Sequence, residues 1–249
     1  MMEPSIKERL WHKMRGDLAK YVPEVTNNQL LMCCACGRFL PQEFFDLEHL
    51  IPQQALKADP ADVRSNPATP ANIRAGNLLL CKKPLLYKGS PLYDNGCNSW
   101  KGRFYDRPIS EIFSGRAMEA QRGRVTDTHI IGGLVLGYLA MVAEFGYIIT
   151  LMKSGLLMRE QFFNPRKFHP SLGTRHQVLL AGATPTAPDE RVWTTPFSFT
   201  FQMGACFVSA RNFAIIMPCS RDPRLPIAHH LRIVPSKYKL RPDFRTVFE

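Results

Sequence analysis

Apolar residues recur every three or four positions over residues 4–21, which is the period of an amphipathic α-helix. Ser5, followed three residues later by Glu8, has the spacing of a capping box at the start of such a helix. Pro23 ends the pattern, because proline cannot continue a helix. The sequence therefore predicts an N-terminal helix that packs an apolar stripe on the segment behind it. The stripe consists of Ile6, Leu10, Trp11, Met14, Leu18 and Tyr21.

Short apolar runs replace the helical period after this helix. Residues 39–45 and 47–51 predict the two strands of a hairpin, and Glu48 and His49 face opposite sides of the second strand because side chains alternate along it. Residues 53–76 contain several prolines among Asp, Ser and Asn, which breaks any periodic pattern. We expect this segment to be a loop-rich insert that covers or flanks the strands.

The most apolar part of the chain is residues 127–153, which is long enough to raise the question of a membrane span. Glu144 interrupts this segment, and Gly146 divides it in two. A segment divided in this way is more typical of a protein interior than of a bilayer. The pattern therefore predicts a buried core helix over about residues 129–145, followed by a turn and a second helix near residues 147–161.

A further helix is predicted over residues 109–121. Beyond residue 164 the spacing of apolar residues changes from that of a helix to that of a strand. Turn residues separate the strand-like runs, as they do in small antiparallel sheets. The order of helices followed by strands predicts an α+β fold. The strand-like runs are residues 177–181, 197–203, 206–210, 213–218 and 231–234.

Charge is uneven along the 249 residues, whose formal net charge is +11. Residues 1–102 carry 13 basic and 10 acidic side chains, whereas residues 103–249 carry 19 and 11. A basic surface attracts polyanions, and phosphate backbones are the usual partner. Many soluble proteins are simply basic, so the net charge favours a nucleic-acid partner without establishing it. The length suits one large domain or two small ones, and 45% hydrophobic residues allow a sizeable core.

Seven cysteines are present, and five of them lie within the first hundred residues. Residues 1–10 lack the apolar region of a signal peptide, so we expect a cytoplasmic protein whose clustered cysteines bind metal rather than form disulfides. Cys33 and Cys36 have the spacing of a zinc knuckle, in which two thiolates of one turn reach the same ion. We interpret Cys34 as a bystander, and Cys206 and Cys219 as buried thiols.

Four short motifs follow one another around these cysteines. They are Cys33-x-x-Cys36, Glu48-His49-x-x-Pro52, Asn77-Leu78-x-x-Cys81 and Cys97-Asn98-x-x-Lys101-Gly102. In this order the motifs resemble those of the HNH endonucleases, whose ββα-metal site is often stapled by a four-cysteine zinc knot. The resemblance covers about residues 30–105.

The motifs and the apolar pattern together predict three parts of the chain. Residues 1–30 would form a helix that packs on the module, and residues 31–106 would form the zinc-stapled ββα-metal module that the resemblance implies. Residues 107–249 would add a helical segment and a small antiparallel sheet, whose role the sequence leaves unknown, with recognition of DNA or a partner as the candidate.

The resemblance also implies a structural zinc ion bound by Cys33, Cys36, Cys81 and Cys97. The chain departs from the family here, because 15 residues separate Cys81 from Cys97 where a second CxxC is usual. A longer loop between ligands remains tolerable, since the entropic cost of closing a loop grows slowly with its length. We therefore expect these four cysteines to lie together in one site.

Catalytic roles follow from the same resemblance. His49 would be the general base that activates water, and Asn77 would brace the loop that holds this base. Glu48 and Asn98 would hold a catalytic Mg²⁺ or Mn²⁺ through oxygen atoms. Glu48 stands where the family more often has Asp or His. The motif helix also carries basic residues for phosphate contact, which are Lys101 and Arg103.

The function predicted from these motifs is that of a metal-dependent DNA endonuclease. Restriction or phage defence would suit the family by association, and a homo-oligomer or a partner subunit is compatible with the sequence. The alternative is a non-catalytic zinc module that binds nucleic acid or a protein partner. A membrane-associated protein centred on residues 129–153 is the least favoured interpretation, so we expect no membrane partner.

Overall fold

Helices and small antiparallel sheets together form the part of the chain that the computed structural model describes, which is residues 3–87, 90–93, 95–113, 126–170, 180–182, 191–202, 205–211 and 213–217. The helices are α1 (Ile6–Leu18), α2 (Glu24–Asn28), α3 (Gln53–Lys57), α4 (Ala61–Ser65), α5 (Ala71–Ala75), α6 (Gly96–Phe104), α7 (Asp106–Phe113), α8 (Asp127–Phe145), α9 (Tyr147–Leu151), α10 (Lys153–Phe162) and α11 (Arg191–Thr194). The strands are β1 (Leu31–Met32), β2 (Phe39–Leu40), β3 (Phe45–His49), β4 (Asn77–Cys81), β5 (Leu85–Tyr87), β6 (Ser90–Tyr93), β7 (Leu180–Gly182), β8 (Ser198–Gln202), β9 (Ala205–Ala210) and β10 (Phe213–Met217).

The N-terminal helix forms as its sequence predicts. The Ser5 hydroxyl accepts a hydrogen bond from the Glu8 amide at 3.2 Å, and the Glu8 carboxylate accepts one from the Ser5 amide at 2.7 Å. These two bonds complete the capping box. The buried face of α1 includes Trp11, whose ring packs on Phe45 of β3 with centroids 5.6 Å apart. The helix therefore packs directly on the strand that carries the Glu48-His49 motif.

The hairpin predicted over residues 39–51 is wrong. Strand β2 pairs with β1 across the cysteine knuckle, and β3 pairs antiparallel with β4, which lies beyond the insert. The β3–β4 register joins Phe45 to Cys81 and His49 to Asn77. Burial in the tertiary structure decides this pairing, because β4 is buried along most of its length and offers β3 an apolar partner. Helix α6 then packs against β4.

The insert between β3 and β4 is more regular than the loop expected from its sequence. It contains three short helices, α3, α4 and α5, each preceded by a proline. Pro52, Pro60 and Pro70 occupy the N-cap positions, where a missing amide hydrogen costs nothing. The prolines therefore start helices here instead of breaking them.

Helix α8 forms the predicted core helix, and 72% of its most apolar window is buried inside the protein. By length and composition alone, α8 is also the one helix of the described residues that could cross a membrane. The turn at Gly146 forms as predicted, but the single helix predicted near residues 147–161 is two helices, α9 and α10, which break at Met152. The Tyr138 hydroxyl of α8 donates to the Cys34 carbonyl at 2.7 Å, and the Tyr147 hydroxyl of α9 donates to the Met32 carbonyl. These bonds fasten the cysteine knuckle to the central helices.

The C-terminal strands form the small antiparallel sheet that the sequence predicts, in the order β7–β10–β9–β8. Strands β9 and β10 pack on α8, so one continuous core joins the N-terminal helix, the cysteine segment and this sheet. The mixed α and β content agrees with the predicted class. Residues 231–234, Cys219 and the later part of the helix predicted over residues 109–121 lie outside the described residues.

Candidate metal centre and active site

Three buried thiols lie close enough together to hold a metal ion. The Sγ atoms of Cys33, Cys36 and Cys97 all lie within 4.8 Å of one another, and the three residues are fully buried. The Cys81 thiol interacts with each of these three thiols. A tetrahedral zinc–thiolate site has sulfur–sulfur separations of roughly 3.8 Å. The cluster therefore fits a metal ion that prefers sulfur ligands.

Arg38 supports this cluster and was missed by the sequence analysis. Its guanidinium donates from Nε to Cys36 Sγ at 3.3 Å and from Nη2 to Cys81 Sγ at 3.2 Å. Burial raises the pKa of Cys36, but hydrogen bonds from neighbouring thiols and the charge of Arg38 outweigh burial and leave that pKa well below its ordinary value. An anionic sulfur is the form that binds metal. The only signal in the sequence was a basic residue directly behind the knuckle.

Gly96 allows the start of α6 to reach the end of β4. Its φ is +72°, and a Cβ atom at this position would lie 2.5 Å from the Lys82 carbonyl carbon and 2.7 Å from the Cys81 carbonyl oxygen. Only glycine tolerates this combination of dihedral angle and close backbone approach. The contact brings Cys97 next to Cys81, although 15 residues separate them along the chain.

His49 and Asn77 are direct partners in the β3–β4 pair. Residues opposite one another in antiparallel strands present their side chains on the same face. The Asn77 side chain donates from Nδ2 to the Asn72 carbonyl at 2.6 Å, which ties the start of α5 to the start of β4. This bond suits the bracing role expected for Asn77. Burial, and then the charge of Lys101, lower the pKa of the half-buried His49, which favours a neutral imidazole at neutral pH.

Glu48 lies on the other face of β3, in a buried ionic cluster. The Lys101 ammonium is fully buried, and its Nζ lies 2.6 Å from Glu48 Oε1 and 2.7 Å from Asp106 Oδ1. The same Nζ donates to the His49 carbonyl at 3.0 Å. Burial lowers the pKa of Lys101, but the two carboxylates more than compensate, so its pKa lies above the ordinary value and the ammonium stays charged.

These contacts correct the role expected for Lys101. A fully buried ammonium with three acceptors has no exposed face to offer a phosphate group. Lys101 instead fastens α6 to the strand that carries His49. Its charge also competes with any cation for the Glu48 carboxylate. Asp106, the second carboxylate of this cluster, carried no recognisable signal in the sequence.

Asn98 and Arg103 flank this cluster on α6. Asn98 is half-buried and lies three residues before Lys101, so the two side chains share one side of the helix. Within the described part of the chain, no hydrogen bond joins the Asn98 side chain to Glu48 or His49. Arg103 is exposed, and its guanidinium lies 5.4 Å from the centre of the Phe104 ring. Phosphate contact by Arg103 stays a prediction.

A second buried ionic cluster connects the insert to the C-terminal sheet and was also missed. The Asp59 carboxylate lies 2.9 Å from Arg74 Nε of α5 and 2.6 Å from Arg211 Nη1 of the β9–β10 turn. All three side chains are at most 7% exposed. The Arg211 guanidinium also stacks over the Trp193 ring at 4.8 Å. The cluster fixes α5, whose Asn72 carbonyl orients Asn77.

No protein-family model, curated protein or solved structure matches this chain. The motifs and the geometry described above are therefore the basis for assigning a function.

Proposed function

We propose that this protein is a metal-dependent endonuclease of the HNH type that hydrolyses phosphodiester bonds in DNA. One observation carries the proposal: β3, β4 and α6 bring three distant motifs together in the order strand, strand, helix, and the thiol cluster joins the fourth motif, Cys33-x-x-Cys36, to α6. His49 pairs with Asn77 across the two strands, and Lys101 of α6 binds both Glu48 and the His49 carbonyl. Buried thiols gather where β4 approaches the start of α6.

In this proposal the thiol cluster binds a structural zinc ion. Cys33, Cys36 and Cys97 supply three ligands, and Cys81 supplies the fourth. Arg38 stabilises the anionic sulfur atoms through its two hydrogen bonds. The ion would hold the knuckle against the start of α6 and so fix the position of Asn98, the residue that follows Cys97.

His49 serves as the general base. A neutral imidazole accepts the proton of the attacking water, and the environment of His49 favours that neutral form. Asn77 keeps the base oriented because its bond to the Asn72 carbonyl fixes the end of the insert beside β3. The charged Lys101 nearby disfavours a second positive charge on the imidazole.

Glu48 and Asn98 offer a carboxylate and an amide oxygen, which are the donor types that Mg²⁺ and Mn²⁺ prefer. A cation bound there would neutralise charge that develops on the phosphate and on the leaving oxygen. One Glu48 oxygen already binds Lys101, so such a cation shares the carboxylate with an ammonium group. Weak cation binding is the expected consequence.

The same ion pair favours a second candidate function. A Glu48 carboxylate held by Lys101 is also what a non-catalytic zinc module would contain, because a structural pair needs no added cation. Such a module would bind nucleic acid or a protein partner without cutting.

A plasmid-nicking assay separates these two functions. Zinc-loaded wild type, His49→Ala and the control His129→Ala are incubated with supercoiled DNA and Mg²⁺, Mn²⁺ or EDTA. His129 is matched in residue type but lies at the start of α8, where it binds Glu111 at 2.9 Å. Cation-dependent cutting by wild type and the control, lost in His49→Ala, supports the endonuclease. Absence of cutting by folded, zinc-loaded wild type with either cation contradicts the endonuclease and favours the binding module.

A further inference from the structure

A buried ammonium group holds three elements together beside the candidate base. The Nζ atom of Lys101 in α6 lies 2.6 Å from Oε1 of Glu48 in β3 and 2.7 Å from Oδ1 of Asp106, which is the first residue of α7. The same Nζ donates to the His49 carbonyl at 3.0 Å. An ammonium group has three N–H donors, and each of them has an acceptor here. These contacts hold Lys101 in one position, so it stays in place when another cation approaches Glu48.

The charges of this cluster do not balance. Glu48 and Asp106 contribute two negative charges, whereas Lys101 contributes one positive charge. Among the described residues, Lys101 forms ion pairs with these two carboxylates and with no other. Glu48 and Lys101 alone would be a neutral pair. Asp106 therefore supplies the surplus negative charge of the cluster.

The Glu48 carboxylate has room for a second partner. An ionised carboxylate has about four lone-pair sites, and Lys101 is the one described residue that bonds to it. The cluster also reaches the surface, because the side chain of Asp106 is 33% exposed. Half-buried Asn98 lies on the side of α6 that carries Lys101, and its amide oxygen is of the type that binds Mg²⁺ and Mn²⁺. The donor set therefore fits a weakly held divalent cation at the edge of the cluster.

Lys101 and Asp106 have opposite effects on such a cation. A cation on Glu48 is close to the Lys101 ammonium, and like charges repel most strongly where little water screens them. Asp106 binds the same ammonium and offsets its charge from within the cluster. Loss of Asp106 would leave a neutral pair that attracts cations poorly, whereas loss of Lys101 would leave two carboxylates that attract them strongly.

We infer that Asp106 is a positioning residue for the catalytic cation, because it offsets the charge of Lys101 and leaves Glu48 able to bind Mg²⁺ or Mn²⁺. The inference rests on the proposed function, which assigns Glu48 as a ligand of that cation. It adds a residue that none of the four motifs contains. Asp106 acts through Lys101 and does not itself bind the cation. The cluster thus fastens α6 to β3 with a permanent ammonium and still attracts a second positive charge.

Cation binding is measured without DNA and without a cleavage step. The zinc-loaded full chain is titrated with Mn²⁺, and electron paramagnetic resonance reports the Mn²⁺ that remains free. Glu48→Gln removes the assigned ligand and should abolish binding at this site. Asp106→Asn preserves the size of the side chain but removes its charge, so Mn²⁺ affinity should fall by about tenfold. Asp106→Glu restores the charge and should regain most of that affinity.

Two further variants control for overall charge and for a structural effect. Asp62→Asn removes the same charge at an exposed position of α4 and should bind Mn²⁺ as wild type does. Lys101→Met removes the competing ammonium. Mn²⁺ should raise the melting temperature of Lys101→Met by more than it raises that of wild type, because a ligand that binds the folded state stabilises it. A purely structural role of Asp106 would change stability without changing Mn²⁺ affinity.

The outcomes separate this inference from the nuclease proposal. Mn²⁺ affinity that falls in Asp106→Asn and recovers in Asp106→Glu supports the positioning role whether or not plasmid DNA is cut. Binding that is lost in Glu48→Gln but unchanged in Asp106→Asn overturns the role of Asp106 and leaves the nuclease proposal intact. An equal loss in Asp62→Asn, or wild type that binds no Mn²⁺, also overturns the inference, even if His49-dependent cutting is observed.

Discussion

The Lys101 ammonium lies 2.6 Å from the Glu48 carboxylate in a site where both side chains are at most 9% exposed. Removing one member of a buried ion pair leaves the other charge uncompensated. The pair also connects α6 to β3, so its loss should affect the architecture of the candidate active site.

We expect Lys101→Met to lower the free energy of unfolding by about 3–5 kcal/mol, because Glu48 would remain buried without its partner. The double variant Lys101→Met/Glu48→Gln should recover part of that loss. Urea denaturation measures both. Lys7→Met is the control, since Lys7 forms a partly exposed pair with Asp46 at 3.4 Å and should change stability by less than about 1 kcal/mol. Equal losses in the two single variants would show that the buried pair has no special role.

Metal retention tests the thiol cluster. Cys36→Ser should lose the ion and soluble yield together, since Arg38 and the neighbouring thiols favour the anionic form of the Cys36 thiol. Cys34→Ser is the matched control, because Cys34 lies between the knuckle residues but outside the described cluster. Elemental analysis of purified protein should give about one zinc ion per chain for wild type and for Cys34→Ser. A folded Cys36→Ser protein with full zinc content would exclude the proposed ligand.

Gly96→Ala should reduce zinc content without touching any ligand. Its Cβ would collide with the backbone of Lys82 and Cys81, so the start of α6 would move away from β4 and carry Cys97 with it. Gly102→Ala, on the same helix, is the control, because its Cβ would meet only Asp106 Oδ2 at an ordinary 3.7 Å. Zinc release by a chromogenic chelator compares the two variants. Similar release rates would mean that the close approach at Gly96 is not required.

The ionic cluster around Asp59 should stabilise the insert. Asp59→Asn leaves Arg74 and Arg211 buried with no anion between them, and we expect a loss of about 3–5 kcal/mol in stability. Amide hydrogen exchange in α5 should accelerate, because this helix carries Arg74. Asp62→Asn, at an exposed position of α4, should leave both measurements unchanged. Unaltered exchange in Asp59→Asn would contradict the anchoring role of the cluster.

Local patterns in the sequence were sufficient for several elements. The capping box of α1, the buried helix α8 and the turn at Gly146 depend on residues a few positions apart, so their side chains and backbone largely decide the conformation. The spacing of Cys33 and Cys36 likewise places two thiols on one turn. The family resemblance and the roles of His49, Glu48 and Asn98 remain predictions, since only the experiments above test them.

Tertiary structure decided the rest. Strand β3 pairs with β4 across an insert of three helices, and no local pattern distinguishes that partner from the nearer residues 39–45. Lys101 resembles an exposed helix residue in the sequence, but the approach of Glu48 and Asp106 makes its burial favourable. The sequence by itself determined α1, α8 and the turn that joins Cys33 to Cys36, whereas α3, α4 and α5 became apparent only in the structure. The positions of these residues relative to one another required the packed core, because burial and long-range pairing depend on the whole chain.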